Sequence, residues 1–147
     1  MEADQFIPGE SISDWIAIAA GCADTPVKID KYLEGLEKYV SDTYAKEGGL
    51  HNVKATEWHR ISLAVLASGG NPRKMGSNQD IDLIADGTYN RIDDNGNGIL
   101  GRQGINGFIW ALIALDSMSY EVPENAYYTR DDIILNILNK QLSGQQL

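Results

Sequence analysis

Three short segments of the chain are apolar on nearly every helical face. They are SDWIAIAAG from Ser13, TEWHRISLAVLASGG from Thr56 and NGFIWALIALDS from Asn106. A helix that is apolar all round is normally enclosed by the rest of its protein. Ser13 and Thr56 are favourable N-cap residues, and Gly21 and the Gly69-Gly70 pair favour helix ends. The pattern therefore predicts three enclosed helices.

Amphipathic segments alternate with these three. The first is predicted from Val27 to Tyr44, and Thr25 followed by Pro26 favours a helix start there. Its apolar stripe is Ile29, Tyr32, Leu33, Leu36, Tyr39, Val40 and Tyr44, and its charged side carries Lys31, Glu34, Glu37, Lys38 and Asp42. Such a helix packs one face against the protein and leaves the other face in water.

Two further amphipathic helices are predicted later in the chain. A short helix follows Asn78. The last helix runs from about Asp131 to Leu142, where Thr129 and Asp132 form a capping-box pattern. No segment gives a strand signal of comparable strength, so the predicted fold class is all-α.

An interval of 47 residues relates the three enclosed segments. Ala17, Ala64 and Ala111 are separated by this interval, as are Ala20, Ala67 and Ala114. Alanines three residues apart lie on one helical face and allow neighbouring helices to approach closely. Intervals of this size occur in arrays of helical hairpins. The sequence predicts about three hairpins with inner and outer helix layers, as a single repeat domain over residues 13–147 that follows an N-terminal extension, residues 1–12.

The bulk composition is that of a globular protein and excludes some partners. The chain has 147 residues, 43% of them hydrophobic and 22% charged, which suits one domain with its own core. Its formal net charge of -9 would repel nucleic acid and anionic lipid, so neither is expected as a partner. The longest apolar run, Phe108 to Leu115, is far shorter than the roughly 20 residues of a membrane-spanning helix.

Cys22 is the only cysteine, which excludes an internal disulfide and a thiolate metal cluster. It follows an apolar run, so we expect a buried structural thiol rather than a reactive one. Of the two histidines, His59 is expected to be packed or hydrogen-bonded within an enclosed helix. His51 is expected to be solvated in a loop.

The stretch IDDNGNGILGRQGING, from Ile92, begins like a calcium-binding loop. Asp93, Asn95, Asn97 and Gly98 fit the first half of an EF-hand pattern, but the twelfth position, where a bidentate glutamate belongs, is Gly104. Asn-Gly pairs also favour turns, because they adopt left-handed conformations at low cost. The favoured interpretation is a turn, and weak calcium binding at Asp93, Asn95 and Asn97 is the alternative. The alternative requires that the melting temperature differ between millimolar calcium and a chelator.

Three strings resemble proteins of the α/α-toroid group, which contains squalene cyclases, protein prenyltransferase β-subunits and cobalamin carriers. In order, they are WHRISLAVLASGGNPRKM, GRQGINGFIWALIALDS and TRDDIILNILNKQL, and the resemblance covers about Ser13 to Leu142. The chain is most similar to bacterial, mostly Gram-positive, surface or secreted proteins described as prenyltransferase-like or squalene-cyclase-like. The resemblance implies a partial α/α toroid, about half of a closed ring, in an extracellular or cell-surface protein.

The resemblance also raises the question of triterpene cyclase chemistry. Cyclases of this fold protonate an alkene through an aspartic acid in an Asp-x-Asp-Asp motif. The acidic clusters Asp80–Asp82, Asp93–Asp94 and Asp131–Asp132 do not reproduce this motif. Aspartates near predicted helix starts, such as Asp80 and Asp132, more simply stabilise the helix dipole.

Prenyltransferase chemistry is no better supported by the residues. These enzymes hold zinc through Asp, Cys and His, but Cys22, His51 and His59 lack a suitable spacing for such a site. A serine in a Gly-x-Ser-x-Gly setting, typical of nucleophilic hydrolases, does not occur. We therefore expect no catalytic residues and no cofactor.

The N-terminal ends of the three enclosed helices gather aromatic and polar residues. If these helices point the same way around an arc, their ends form one rim that also presents free backbone N–H groups. The candidate ligand-binding residues at this rim are Trp15, Glu57, Trp58, Arg60, Gln103, Asn106 and Trp110. Concave aromatic sites with a few polar groups are the usual form of a ligand pocket. Alternatively, the tryptophans belong to the core, and Glu57 pairs with Arg60 at i, i+3.

Three functional hypotheses follow. The first is a non-catalytic domain of a bacterial surface or secreted protein that binds a small ligand or a partner protein. The second is half of an isoprenoid-handling enzyme of the terpenoid cyclase or prenyltransferase type, whose catalytic residues lie outside this chain. The third is a plain helical scaffold with protein partners. In a half toroid each terminal hairpin lacks one neighbour, and a homodimer would cover that surface.

Overall fold

The structure, a computed structural model, describes residues 6–23 and 29–143. In these ranges the helices are α1 (Ser11–Cys22), α2 (Ile29–Glu47), α3 (Thr56–Ala67), α4 (Leu83–Gly87), α5 (Ile105–Asp116) and α6 (Arg130–Leu142). A short 3₁₀ helix, Leu100–Gln103, precedes α5. The described residues contain no β-strand, only two isolated bridges that join Met75 to Ile81 and Ile92 to Gly98. The all-α prediction is confirmed, while the toroid arrangement stays a prediction.

The chain divides into two compact units. Unit 1 combines the residues up to Leu50 with Arg60–Leu83, and unit 2 combines His51–His59 with the residues from Ile84 onward. Unit 1 thus contains α1, α2 and most of α3, whereas unit 2 contains α5, α6 and the first turn of α3. Each unit has buried apolar residues of its own.

The helix α2 supplies an apolar stripe to unit 1. Leu36 and Val40 are fully buried, and the tyrosines of the predicted stripe are half-buried. The charged residues predicted for the opposite side are all exposed. The amphipathic prediction is therefore confirmed over residues 32–44, while the predicted helix entry at Thr25 and Pro26 lies outside the described residues. The other buried apolar residues of unit 1 are Leu50, Ile61, Ala64, Val65, Met75 and Leu83.

The helix α1 is not enclosed as predicted. Only Ser13 and Asp14 are buried in it, whereas Ile12 is 76% exposed and Ile16 is 39% exposed. The prediction is wrong because an apolar composition favours a helix but does not supply neighbours to cover every face of it. Cys22, in the last turn of the same helix, is exposed, so the expected buried thiol is also wrong.

The predicted ends of α1 are wrong as well. The helix begins two residues before Ser13, whose Oγ accepts the backbone N–H of Ile7 at 3.1 Å instead of capping the helix. Gly21 lies within the helix rather than after it. A Cβ at Gly21 would overlap the carbonyl oxygen of Ala67, so this glycine allows α1 and the end of α3 to touch.

The helix α3 ends at the Gly69-Gly70 pair, as predicted. Gly69 has a φ of +82°, the N–H of Gly70 donates to the Val65 carbonyl at 2.8 Å, and the N–H of Gly69 donates to the Leu66 carbonyl at 3.0 Å. These bonds form a Schellman motif, which satisfies carbonyl groups that a helix end otherwise leaves unbonded. At the other end, Thr56 is the first residue of the helix rather than its N-cap.

Unit 2 is organised by α5, which packs mainly against α6 and the 3₁₀ helix. Its core cluster consists of Ala55, Ile84, Tyr89, Leu100, Phe108, Ala111, Leu115 and Ile133. The inner face of α5 is buried, although Ile113 on its other side is 41% exposed, so its enclosure is partial. None of the helices in the described ranges combines the length and the apolar character that crossing a membrane requires.

The predicted capping box of α6 is confirmed. The Thr129 hydroxyl accepts the N–H of Asp132 at 3.1 Å, and the Asp132 carboxylate accepts the N–H of Thr129 at 2.8 Å. This reciprocal pair fixes where α6 begins. The short helix predicted after Asn78, with Ile81, Leu83 and Ile84 as its apolar residues, is α4, which begins at Leu83. Ile81 lies before this helix and forms an isolated bridge with Met75.

Candidate functional site

Unit 2 contains a cleft with a volume of about 480 Å³. Its lining residues come from the Asp93–Gly98 turn, the 3₁₀ helix, α5, the segment before α6, and α6 itself. They are Asp93, Asn97, Gly98, Ile99, Gly101, Arg102, Phe108, Tyr128, Asn136 and Lys140. A volume of this size is within the usual range of small-molecule sites.

Aromatic rings form one wall of the cleft. The rings of Phe108 and Tyr128 meet edge to face with 5.9 Å between their centroids, and Tyr127 packs on Tyr128 at 4.9 Å. Burial raises the pKa of the Tyr128 hydroxyl, so this group stays protonated at neutral pH. The wall therefore offers apolar ring surface together with a phenol that can donate a hydrogen bond.

Two cationic side chains line the same cleft. Arg102 is held on one side by the Asn52 carbonyl, 3.3 Å from its Nη1, and on the other by the Asp93 carboxylate, 3.6 Å from its Nη2. Lys140 lies in the last turn of α6 with its Nζ 5.9 Å from the centroid of the Phe108 ring. Among the described residues, no carboxylate pairs with Lys140.

The Asp93–Gly98 segment is a turn closed by one carboxylate. Asp93 Oδ1 accepts the backbone N–H groups of Asn95 at 3.0 Å and Asn97 at 2.9 Å, and the N–H of Asp93 donates to the Asn97 carbonyl at 2.9 Å. The backbone bond from Asn97 is the main reason that the pKa of Asp93 is lowered, so the carboxylate is ionised at neutral pH. The segment therefore has the turn conformation that its Asn-Gly pairs predict.

Calcium binding at Asp93, Asn95 and Asn97 stays a prediction. Within the described ranges, no three acidic, histidine or cysteine side chains are grouped closely enough to hold a metal ion. The carboxylate of Asp93 already accepts two N–H groups on one oxygen and faces Arg102 with the other. A bound cation would have to compete with Arg102 for that second oxygen.

Gly98 makes room for the aromatic wall. A Cβ at this position would overlap the hydroxyl of Tyr128 and the ring of Tyr127. We expect Gly98→Ala to lower the free energy of unfolding by about 1–3 kcal/mol, because overpacking forces side chains off their preferred positions. Chemical denaturation measures this loss, and near-ultraviolet circular dichroism of the tyrosines reports the displaced wall.

Gly96→Ala is the matched control for this substitution. Gly96 has a φ of +78° but open space around its α-carbon, so alanine there is strained without entering the cleft. Its expected cost is about 1 kcal/mol, with an unchanged tyrosine signal. An unchanged tyrosine signal in Gly98→Ala as well would contradict the packing that is described for Gly98.

Of the residues predicted to form a ligand-binding rim, Gln103 has a clear role within the fold. Its Oε1 accepts the backbone N–H of Thr56 at 3.2 Å, and its Nε2 donates to the Thr56 hydroxyl at 2.9 Å. Gln103 thus satisfies one of the N–H groups that the start of α3 would otherwise present. Its sequence separation from Thr56 is the same 47-residue interval that relates the alanines.

Replacing Gln103 by alanine tests this capping role. We expect Gln103→Ala to lower the free energy of unfolding by about 1 kcal/mol, which is typical for the loss of an N-terminal cap. Asn106→Ala is the control, because Asn106 is an exposed residue one turn further along the chain. Equal stability of the two variants in urea denaturation would contradict the capping role.

The other candidate rim residues divide between the two units. Trp58 is buried in unit 2, with the Arg91 guanidinium 3.8 Å from its ring centroid, which favours the core alternative for this tryptophan. Glu57 and Trp110 are half-buried in unit 2. Trp15 and Arg60 belong to unit 1, where Trp15 is 40% exposed. Ligand binding by these residues stays a prediction.

Arg60 is part of a buried network in unit 1. Its Nε donates to Asp14 Oδ2 at 2.9 Å, and its Nη2 donates to the Gly9 carbonyl at 2.9 Å. Asp14 is fully buried and also accepts the N–H of Gly9 and the hydroxyl of Tyr32. The contacts of Arg60 with Asp14 and Gly9 tie the segment before α1 to α3.

The two histidines lie as predicted. His59 is 1% exposed, and its Nε2 lies 2.6 Å from the Gly87 carbonyl, which fixes the tautomer with the proton on Nε2. Burial lowers the pKa of His59 to about 4, so it is neutral at physiological pH. His51 is exposed in its loop, where its Nδ1 accepts the N–H groups of Val53 and Lys54.

The sequence did not point to the cleft. Its lining joins a turn, a 3₁₀ helix and the far end of α6, and Arg102 and Lys140 lie on different helices that are far apart in the sequence. One available signal was Lys140 itself, the only charged residue of α6 beyond the first turn, which carries Arg130, Asp131 and Asp132. Another was the pair Tyr127-Tyr128 directly before a capping box.

Comparisons with known proteins identify no relative. No protein family matches the chain, and neither the curated proteins nor the solved structures include a significant match to it. The resemblance carried by the three strings therefore stays a prediction.

Proposed function

We propose that this chain is a non-catalytic helical domain of a bacterial surface or secreted protein, and that it binds a small ligand in the cleft of unit 2. The observation that carries the proposal is the meeting of two cationic side chains, Arg102 and Lys140, with the rings of Phe108 and Tyr128 in one cleft. Cationic groups give a ligand orientation, and aromatic rings give it apolar contact.

The chemistry of the cleft favours binding over proton transfer. Asp93 is the only carboxylate among the described residues of its lining, and the lowered pKa of that group makes it a weak proton acceptor. Its oxygens are already engaged by the turn and by Arg102. A residue held in this way orients a neighbour more readily than it removes a proton.

The resemblance to prenyltransferase-like surface proteins also supports the proposal. The string GRQGINGFIWALIALDS contains Gly101, Arg102 and Phe108, and the string TRDDIILNILNKQL contains Asn136 and Lys140. Half of the lining residues therefore come from the strings that carry the resemblance. The proposed location, outside the cell or at its surface, rests on the same resemblance.

A thermal-shift screen that includes a variant with a displaced aromatic wall tests the proposal. The wild-type chain and the variants Gly98→Ala and Gly96→Ala are heated with polyprenyl phosphates, corrinoids, glycans, short peptides and small organic acids. A ligand that binds the folded chain raises its melting temperature in a dose-dependent way. We expect such a rise in the wild type and in Gly96→Ala, and its loss in Gly98→Ala.

Two outcomes would contradict the proposal. One is a ligand that stabilises all three proteins equally, since that ligand must bind elsewhere. The other is no stabilisation by any class at millimolar concentration, which would favour the helical scaffold with protein partners. The wild-type chain and its matched glycine variant distinguish these outcomes from a simple loss of folding.

A further inference from the structure

We infer that the cleft of unit 2 selects a monocarboxylate with a short aryl or other planar apolar group, and that Asp93 sets this preference for a single negative charge. The inference rests on the proposed function of the cleft and names the class of its ligand. It follows from the charges that line the cleft and from the way in which each of them is held.

The first step is the charge balance of the cleft. Among the described residues that line the cleft, Arg102 and Lys140 contribute two positive charges and Asp93 contributes one negative charge, which leaves an excess of one positive charge. The chain as a whole carries a formal net charge of -9, so this local excess is opposite in sign to the rest of the molecule. A single anionic group would balance the cleft, because its charge matches the excess.

The second step concerns Lys140, the cation of the cleft that forms no ion pair within the described residues. Among the described residues, Lys140 has no carboxylate partner, and its ammonium group lies 5.9 Å from the Phe108 ring centroid. Arg102, by contrast, is oriented by Asn52 and Asp93. An anion in the cleft can therefore reach one cation that is available and one that is already positioned.

The third step is the discrimination between anions. Asp93 is ionised and fixed by two backbone N–H groups, so it stays in place when a ligand enters. It repels a dianion, such as a phosphate monoester, about twice as strongly as a carboxylate at the same distance, which offsets about half of the added attraction of the two cations for the dianion. The larger cost of removing a doubly charged group from water then favours the carboxylate. The planar guanidinium of Arg102 matches the oxygens of either anion, so it orients the ligand without discriminating between them.

The fourth step is the apolar part of the ligand. Phe108 and Tyr128 line the cleft, and Ile99 adds an aliphatic side chain. A planar group packs favourably against aromatic rings, either edge to face or offset-stacked. An acid without such a group would make the ionic contact alone and bind more weakly.

A titration with three related probes tests the inference. The probes are 3-phenylpropionate, the neutral 3-phenylpropanol and the dianionic phenyl phosphate, followed by backbone amide shifts in nuclear magnetic resonance spectra of the full chain. We expect 3-phenylpropionate to bind best and the alcohol about ten-fold more weakly, because a charge-assisted contact is lost. The shifts should fall on the residues of the Asp93–Gly98 turn and on α5 and α6.

Two variants give effects of opposite sign. Lys140→Met keeps the stem over Phe108 and should weaken 3-phenylpropionate about ten-fold. Asp93→Asn keeps an oxygen for the turn and should strengthen 3-phenylpropionate about three-fold and phenyl phosphate about ten-fold. Lys46→Met is the control, because Lys46 is an exposed lysine at the end of α2 in unit 1, and it should change neither affinity.

The possible failures are distinguishable. If no probe shifts the cleft residues, the inferred ligand class is wrong. The proposed function of the cleft is wrong as well only if no ligand of the thermal-shift screen stabilises the wild-type chain. If the alcohol binds as well as the acid, or if Asp93→Asn leaves both affinities unchanged, the cleft binds ligands but the inferred class is wrong. A tripeptide that ends in a phenylalanine carboxylate, compared with its amide, then shows whether a chain terminus or a free acid is the better source of the carboxylate.

Discussion

Replacing Asp14 by asparagine is expected to lower the free energy of unfolding by about 3–5 kcal/mol, the usual cost of breaking a buried ion pair. Asp14 is fully buried, and its carboxylate accepts the N–H of Gly9 at 3.0 Å, the hydroxyl of Tyr32 at 2.5 Å and the Nε of Arg60 at 2.9 Å. Asparagine removes the charge that compensates the buried guanidinium. It also turns an NH₂ group toward one or more of these donors.

Tyr32 strengthens the network in its neutral form. Burial raises the pKa of Tyr32, and its hydrogen bond to Asp14 raises the pKa further, so the hydroxyl remains a donor throughout the neutral range. We expect the network to tie α1, α2 and α3 of unit 1 together through one carboxylate. Loss of the Asp14 carboxylate should therefore weaken the packing of all three helices at once.

Urea denaturation followed by tryptophan fluorescence measures the effect. Asp42→Asn is the matched control, because Asp42 pairs with Lys38 on the exposed surface of α2 and should contribute less than about 1 kcal/mol. The double variant Asp14→Leu with Arg60→Met should be more stable than the sum of its single variants predicts, since neither charge is then left buried alone. A loss in Asp14→Asn no larger than that in Asp42→Asn would contradict the network.

This result also bears on the candidate ligand-binding residues. Arg60 was a candidate because it follows Glu57 and Trp58 at the start of an apolar helix, which is the pattern of a polar rim. The structure instead buries Arg60 against Asp14. Sequence reasoning could not find this pair, because Asp14 and Arg60 are 46 residues apart and each alone resembles an ordinary residue of a helix start.

Local signals were predicted best from the sequence. The capping box at Thr129 and Asp132, the Gly69-Gly70 helix end and the apolar stripe of α2 all depend on residues within one or two turns of each other. The fold class follows from the same local signals. These features need no knowledge of which helix lies beside which.

Features that depend on distant neighbours were not predicted. The apolar residues of α1 indicated a helix, but its exposure depends on which other segments cover it. The cleft depends on Lys140, Arg102 and Asp93 meeting from three separate segments. Periodicity indicates which face of a helix is apolar but not which segment packs against it, so neither feature follows from the sequence pattern.

Acid conditions are expected to destabilise the chain through His59, and this is the second large effect. The ring is neutral when folded because burial and, to a smaller extent, the nearby positive charge of Arg91 lower its pKa to about 4. The unfolded chain binds a proton below the ordinary histidine pKa of 6.5. The stability that His59 contributes is therefore complete above about pH 6.5 and is lost as the pH falls toward 4.

The size of the loss follows from the two pKa values. The difference between the two pKa values corresponds to on the order of 3 kcal/mol in the free energy of unfolding. Most of this stability should be lost by about pH 4.5. His59→Gln serves as the non-titrating reference, since the glutamine amide can still donate to the Gly87 carbonyl that the His59 ring contacts at 2.6 Å. Carboxylates lose stability in acid too, but they do so equally in both proteins.

The measurement compares the free energy of unfolding of wild type and His59→Gln at several pH values between about 7.5 and 4.5. The wild type should lose more stability than the variant over this range, and the difference belongs to His59. Titration of the histidine ring protons by nuclear magnetic resonance gives an independent check, because the His59 signal should stay unshifted until the pH approaches 4. Parallel losses in the two proteins, or a His59 signal that titrates near the ordinary histidine pKa, would show that the fold accepts a charged ring at this position. The contact between α3 and Gly87 would then be looser than a buried neutral imidazole requires.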